Sequence, residues 1–200
     1  MRRLSLKTPP AGRALDWDTV RGHLRLDSVD EQARVMGVLV TAAEEWAESA
    51  TGRQLITATW TLSLCDFPDD SDDPIVLPKA PLQSVTSVKY YDGDGVQQTW
   101  ASSNYDVVAP AGPKCAPGFI IPKPGAFYPT TYGEPREIEV EFVAGYGDAP
   151  EDVPAGLRAG LLLLVGDLFQ HRESGVIGTI VAEAPLPARS LILPYLSEHP

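Results

Sequence analysis

At Gly52 the spacing of apolar residues changes from three and four to two, and at Val153 it changes back, so this 200-residue chain must join helices to a sheet. Before the first switch, apolar residues recur at Val35, Leu39, Ala42, Ala43, Trp46 and Ala50, which predicts one amphipathic helix over residues 29–51. Ser28 and Glu31 give it a capping-box start, and Gly52 takes a left-handed helix end without a Cβ penalty. After the switch, Ile56, Ala58, Trp60, Leu62 and Leu64 alternate with Thr57, Thr59, Thr61 and Ser63, the pattern of a half-buried strand. Further strands are predicted over 75–77, 85–91, 96–100, 105–108, 119–121 and 138–143. Asp92, Gly93, Asp94 and Gly95 join two of them with the residue types of a type I′ hairpin turn. Helical period returns with Leu157, Leu161, Leu164, Val165, Leu168 and Phe169. Because Leu162 and Leu163 are apolar too, the helix over 153–172 should be nearly surrounded. A short helix over 15–26, capped by Asp16, places Trp17, Val20 and Leu24 on one face.

These segments predict an α+β fold: a small helical bundle with an inserted, mostly antiparallel β module and an extended C-terminal tail. The bundle takes residues 15–53 and 151–173, the β module 54–150, an N-terminal arm 1–14 and the tail 174–200. Two prolines and a basic composition make the arm an unpacked segment. In the tail, glycines and prolines prevent a long helix. Yet Val176, Ile177, Ile180, Val181, Leu191, Ile192, Leu193, Tyr195 and Leu196 are too apolar for a freely solvated terminus. They are the candidate partner-binding residues, expected to dock on another protein. The competing reading folds the SLILPYL stretch into a short helix that closes its own bundle.

Composition removes several function classes. Twenty-seven acidic against sixteen basic residues give a net charge of −11, which opposes wrapping duplex DNA, since such binding rests on clustered Lys and Arg. Cys65 and Cys115 have neither CxxC spacing nor a neighbouring histidine, and read as thiols made in a reducing cytoplasm. The N-terminus lacks an apolar signal core and no apolar run approaches the roughly 20 residues of a membrane span, so a soluble protein without membrane attachment is expected. His23, His171 and His199 have no two-ligand spacing, and neither GxSxG nor a phosphate-binding glycine loop occurs. Asp66, Asp69, Asp70, Asp72 and Asp73 could in principle hold a hard cation, but they lack the glycine and terminal glutamate of an EF-hand and read as a solvated loop. Glu44, Glu45 and Glu48 read as a solvated helix face. No catalytic residue, cofactor or metal is therefore expected. Two alternatives keep a motive: a hydrolase built on the aspartates of the insertion, and a carbohydrate- or peptide-binding module with Trp60, Trp100, Tyr90 and Tyr91 as an aromatic platform.

Several phrases occur in a telling order: HLRLD, then AAEEWAESATGRQLI running into TATWTLSL, then LPKAPLQSVTSVKYYDGDG, EVEFVAGYGDAPEDVP and GLLLLVGDLFQHRE. Together they resemble the phage head-tail connector (adaptor) proteins with a β-rich insertion, found in tailed phages and gene-transfer particles, over most of the chain. The resemblance implies a structural subunit of a ring, a dodecamer, located in the virion at the head-tail junction. The ring would sit beneath the portal protein, join the DNA-filled head to a stopper or tail-terminator protein, and let DNA pass without reading its sequence. The resemblance brings no cofactor and no catalytic residue. The arm and the segment after Ser174 fall outside the shared pattern.

Overall fold

In the computed structural model the described residues are 2–27, 29–131, 138–171 and 185–197. The first helix, α1 (Trp17–Leu24), starts where Asp16 accepts a hydrogen bond from the Thr19 amide at 2.8 Å, which meets one of the free donors of a helix start. The long helix is one run of three pieces: α2 (Gln32–Arg34), a π-helical segment (Val35–Val40) and α3 (Thr41–Thr51). Its buried residues are Val35, Val40, Ala43, Ala47 and Thr51. Val35 and Ala43 are buried as the expected stripe of Val35, Leu39, Ala42, Ala43, Trp46 and Ala50 has them, but the first step spans five residues, as a π turn requires, and puts Val40 in the core in place of Leu39. Ala42 is consequently exposed, and Leu39 and Trp46 are half-buried. The Thr41 hydroxyl donates back to the carbonyls of Met36 and Gly37, at 3.3 and 3.0 Å, inside the widened turn. The run ends at Gly52 with φ 68°.

At the centre of the bundle lies α4 (Ala155–Gln170), which buries Leu157, Gly160, Leu161, Leu164 and Val165. Leu163 is exposed, so the helix keeps one open side instead of being surrounded. A short helix, α5 (Leu186–Ile192), and a 3-10 turn (Leu193–Tyr195) pack on α4, with Ala188 and Ile192 fully buried. Close approach needs glycine here, because a Cβ on Gly160 would sit 2.6 Å from Ile192 Cγ1. Over residues 185–197 the tail is thus helical and seated on its own bundle rather than extended.

Among the described residues eight strands form the β module, β1 from the amino-terminal segment and the rest from the insertion: β1 (Arg2–Thr8), β2 (Ala58–Leu64), β3 (Ile75–Val76), β4 (Leu82–Tyr91), β5 (Gln97–Thr99), β6 (Tyr105–Val108), β7 (Phe119–Pro122) and β8 (Ile138–Ala144). One sheet runs β1-β2-β8-β4-β5 and a smaller one β3-β7-β6, and every pairing is antiparallel. The amino-terminal residues, expected as an unpacked arm, instead form the edge strand β1, with Leu4 opposite Leu62. Their alternation of Leu4 and Leu6 with Ser5 and Lys7 is a strand signal that the neighbouring prolines and basic residues obscure. The β4–β5 turn also differs from expectation. Gly95 alone has positive φ, and its amide donates to the Asp92 carbonyl at 2.9 Å, which makes a type I turn followed by a glycine bulge rather than type I′. Asp92 Oδ1 holds the turn by accepting from the Asp94 and Val96 amides.

Buried apolar residues fall into two clusters. One fills the helical bundle, the other lies between the sheets and contains Leu62, Phe67, Val88, Trp100, Tyr105, Ile120, Val140 and Phe142.

Candidate functional site

The junction between bundle and sheet concentrates the polar chemistry of the chain. Glu44 Oε1 accepts the Ala14 amide at 2.7 Å and its Oε2 accepts from Arg13 at 3.0 Å, which fixes the segment between β1 and α1 against α3. One turn later, Glu48 Oε1 accepts from the Gln54 side chain at 2.6 Å and the Leu55 amide at 2.9 Å. Gln54, itself buried, accepts from Trp60 Nε1 at 3.0 Å, and the Lys79 ammonium lies 5.1 Å from the centre of the Trp60 ring. These groups border a cleft of about 430 Å³ lined by Leu6, Pro10, Glu44, Glu48, Ile56 and Trp60 among others. Glu44 and Glu48 are therefore not a solvated face, as the helical pattern implied; the chain returns over them.

Burial pushes both carboxyls above the ordinary glutamate value of 4.5, against the opposing pull of their hydrogen bonds. The folded protein then binds these protons more tightly than the unfolded chain. Their contribution to stability is present at low pH and is lost as pH rises through the raised folded values. Glu48→Gln keeps the acceptor oxygen and removes the charge. Relative to wild type, the variant should gain stability on going from pH 4.5 to neutrality. Urea denaturation at several pH values checks this, and a pH-independent difference would contradict it.

Deeper in the same junction, Arg53 is 1 % exposed although it carries a charge. Its guanidinium donates to the Cys115 carbonyl at 2.8 Å, to the Tyr195 carbonyl, and to Cys115 Sγ at 3.8 Å. Tyr146 donates to the Pro113 carbonyl at 2.6 Å, and burial pushes its phenol up to about 12. The Ser197 amide donates to the Thr51 carbonyl at 2.8 Å. Arg53 thus ties the end of the long helix, a loop of the β module and the C-terminal turn together. Nothing local marks it in the sequence, since an arginine after a helix-ending glycine looks like an ordinary solvated residue.

The predicted partner-binding residues divide. Val176, Ile177, Ile180 and Val181 lie outside the described residues. Ile192 is fully buried against α4, which corrects its assignment to a partner surface in the isolated chain. Tyr195 is half-buried beneath the Lys114 ammonium and packs so close to Gly156 that a Cβ added there would come within 2.7 Å of its hydroxyl. Leu191, Leu193 and Leu196 stay exposed, together with Leu186.

The alternative sites do not assemble. Among the described residues no three His, Cys, Asp or Glu side chains converge to hold a metal. Asp66 accepts from Thr131 and Asp70 from the Asp72 amide, bonds that shape the loop. Trp100 is buried in a ring cluster with Phe67, Tyr105 and Tyr128, while Trp60 belongs to the junction, so the four aromatics make no common platform. His23 lies beside Gly166 of α4, His171 bonds Asp167, and His199 is outside the described residues. No helix among the described residues is long and apolar enough to cross a membrane.

No protein-family profile and no curated protein matches the chain. Solved structures do. Chains of the "Virion of native gene transfer agent (GTA) particle" and the "Neck of empty GTA particle computed with C6 symmetry" superpose with TM-score 0.77 at 25% and 26% identity, covering 98% of this chain and 96% of theirs. A chain of the "Neck of native GTA particle computed with C12 symmetry" matches over the same spans with TM-score 0.73 and 25% identity. The chain is thus similar, end to end, to chains of gene-transfer-agent particles. The mixed α+β architecture is common to the whole length of both partners, insertion included, so the likeness does not rest on a shared bundle alone.

Proposed function

We propose that this chain is a head-tail connector subunit that forms a ring in the particle neck, beneath the portal protein and above a stopper or tail-terminator protein, with DNA passing through the ring. The observation that carries the reading is the end-to-end likeness to chains of gene-transfer-agent necks, one of them computed with C12 symmetry. The net charge of −11 fits a channel that must not grip a passing polyanion. The role is mechanical and non-enzymatic: a subunit of this kind needs a rigid joint between its two halves, and the Arg53 and Glu48 networks supply one. Val176, Ile177, Ile180, Val181, Leu191, Leu193 and Leu196 are the residues through which it grips the portal; Ile192 and Tyr195 hold residues 185–197 on the bundle. Electron cryo-microscopy of particles from cells producing the tagged chain tests the reading, with a closed ring of this fold expected at the head-tail junction. Particles whose neck lacks the chain would overturn it. Leu193→Asp combined with Leu196→Asp should leave the subunit folded and abolish its retention on purified heads.

A further inference from the structure

Resting on the connector reading, we propose that neighbouring subunits of the ring join by inserting Phe127 of one copy into a groove on the long helix of the next. Phe127 is 75 % exposed, an unusual position for a phenylalanine, and it is presented rather than left loose. The residues around it are fixed. The Ala126 amide donates to the Lys123 carbonyl at 2.8 Å across a turn in which Gly125 has φ 83°. On its other side, the Tyr128 hydroxyl donates to the Asp73 carbonyl at 2.7 Å, and its ring stacks on Phe67 with centroids 5.2 Å apart. With Tyr128 half-buried against the sheet core, Phe127 stands outward on a rigid base. A pre-positioned aromatic loses little freedom on binding and is the kind of side chain that anchors an interface.

The groove is a shallow depression of about 530 Å³ lined by Val29, Ala33, Met36 and Gly37, with Arg13 and Asp30 at its rim. Small residues open it: a Cβ added at Gly37 would meet nothing within 4 Å. Val29 in its wall is 60% exposed. Arg13, held by Glu44, offers a guanidinium to an aromatic ring. Knob and groove lie on different parts of the molecule. Tyr128 belongs to the core between the sheets, and Met36 to the bundle core. The knob of one copy can therefore engage the groove of the next without using up its own groove, the head-to-tail arrangement that closes rings. A second copy is the occupant this favours, because the chain itself supplies the matching knob and because similar chains sit in necks computed with C6 and C12 symmetry.

The test is covalent trapping in assembled particles. Gly37→Cys fits the empty space beside it, and Phe127→Cys is solvent-facing. A chain carrying both changes, assembled and treated with a short bismaleimide, should give a ladder of covalent oligomers, whereas either single variant, which also carries the native Cys65 and Cys115, should give none. Assembled chains that produce no ladder beyond that of the single variants overturn the inference while leaving the connector reading intact. A wild-type chain absent from the particle neck instead overturns the connector reading. If the paired variant does not assemble, Phe127→Asp decides. It should melt like wild type yet enter particles more than about tenfold less efficiently, the scale of losing an aromatic anchor. Normal incorporation would sink the proposal.

Discussion

Phe142→Ala should cost about 3–5 kcal/mol of folding free energy, the range for removing a fully buried aromatic side chain from a packed core. Phe142 is 0% exposed on β8, facing Trp60 on one neighbouring strand and Val85 on the other. A cavity opened there has paired strands on both sides, and a sheet cannot collapse inward without breaking its ladders, so little of the loss should be recovered by relaxation. Denaturant titration followed by tryptophan fluorescence and by circular dichroism measures it. A cost below about 1 kcal/mol would mean that the two sheets do not enclose a common core.

Arg53→Met should destabilise the chain by about 2–6 kcal/mol, taking 1–3 for each of the two carbonyls left without a donor. Methionine keeps much of the volume, so the loss reports hydrogen bonds rather than packing. The buried guanidinium bonds two carbonyls that belong to distant segments, Cys115 and Tyr195. Hydrogen exchange of the amides in α5 and the 3-10 turn should therefore rise more than exchange in β8. Arg53→Lys should recover only part of the loss, because an ammonium lacks the planar fork that reaches both acceptors. Equal protection of the C-terminal segment in wild type and Arg53→Met would refute the tie.

Residues whose environment is set by their own element were readable. The alternation from Ile56 to Leu64 marks β2, the Leu157 to Leu168 stripe marks α4, and Asp16 caps α1. What escaped was decided by distant chain. Glu44 and Glu48 sit on the polar side of an ideal helix, yet residues 13–14 and 54–55 fold over them and make them acceptors. The Val35 to Val40 step replaced Leu39 by Val40 in the core through a π turn, which a 3.6-residue period does not anticipate. Ile192 looked like a docking residue for a related reason: its apolarity required a cover, and composition does not say whether the cover is another protein or Gly160 of the same chain. The candidate assembly residues were thus legible as apolar surplus but not as to which of them the bundle would claim.

The order β1-β2-β8-β4-β5 also has a consequence for synthesis. Strands β2 and β4 never touch each other; each waits for β8, which is translated after both and slots between them. While a ribosome is still making residues 92–137, the inner margins of β2 and β4 stand open, one bearing Trp60 and Leu62 and the other Val85 and Val88. Such margins pair readily with strands of other nascent chains. A protein made in many copies at once is translated on crowded polysomes, where this exposure is greatest. Yield in a recombinant host should then depend on how quickly translation carries Ile138–Ala144 out of the exit tunnel, so synonymous codons that slow the stretch just before residue 138 should shift product into inclusion bodies even though the finished protein is unchanged.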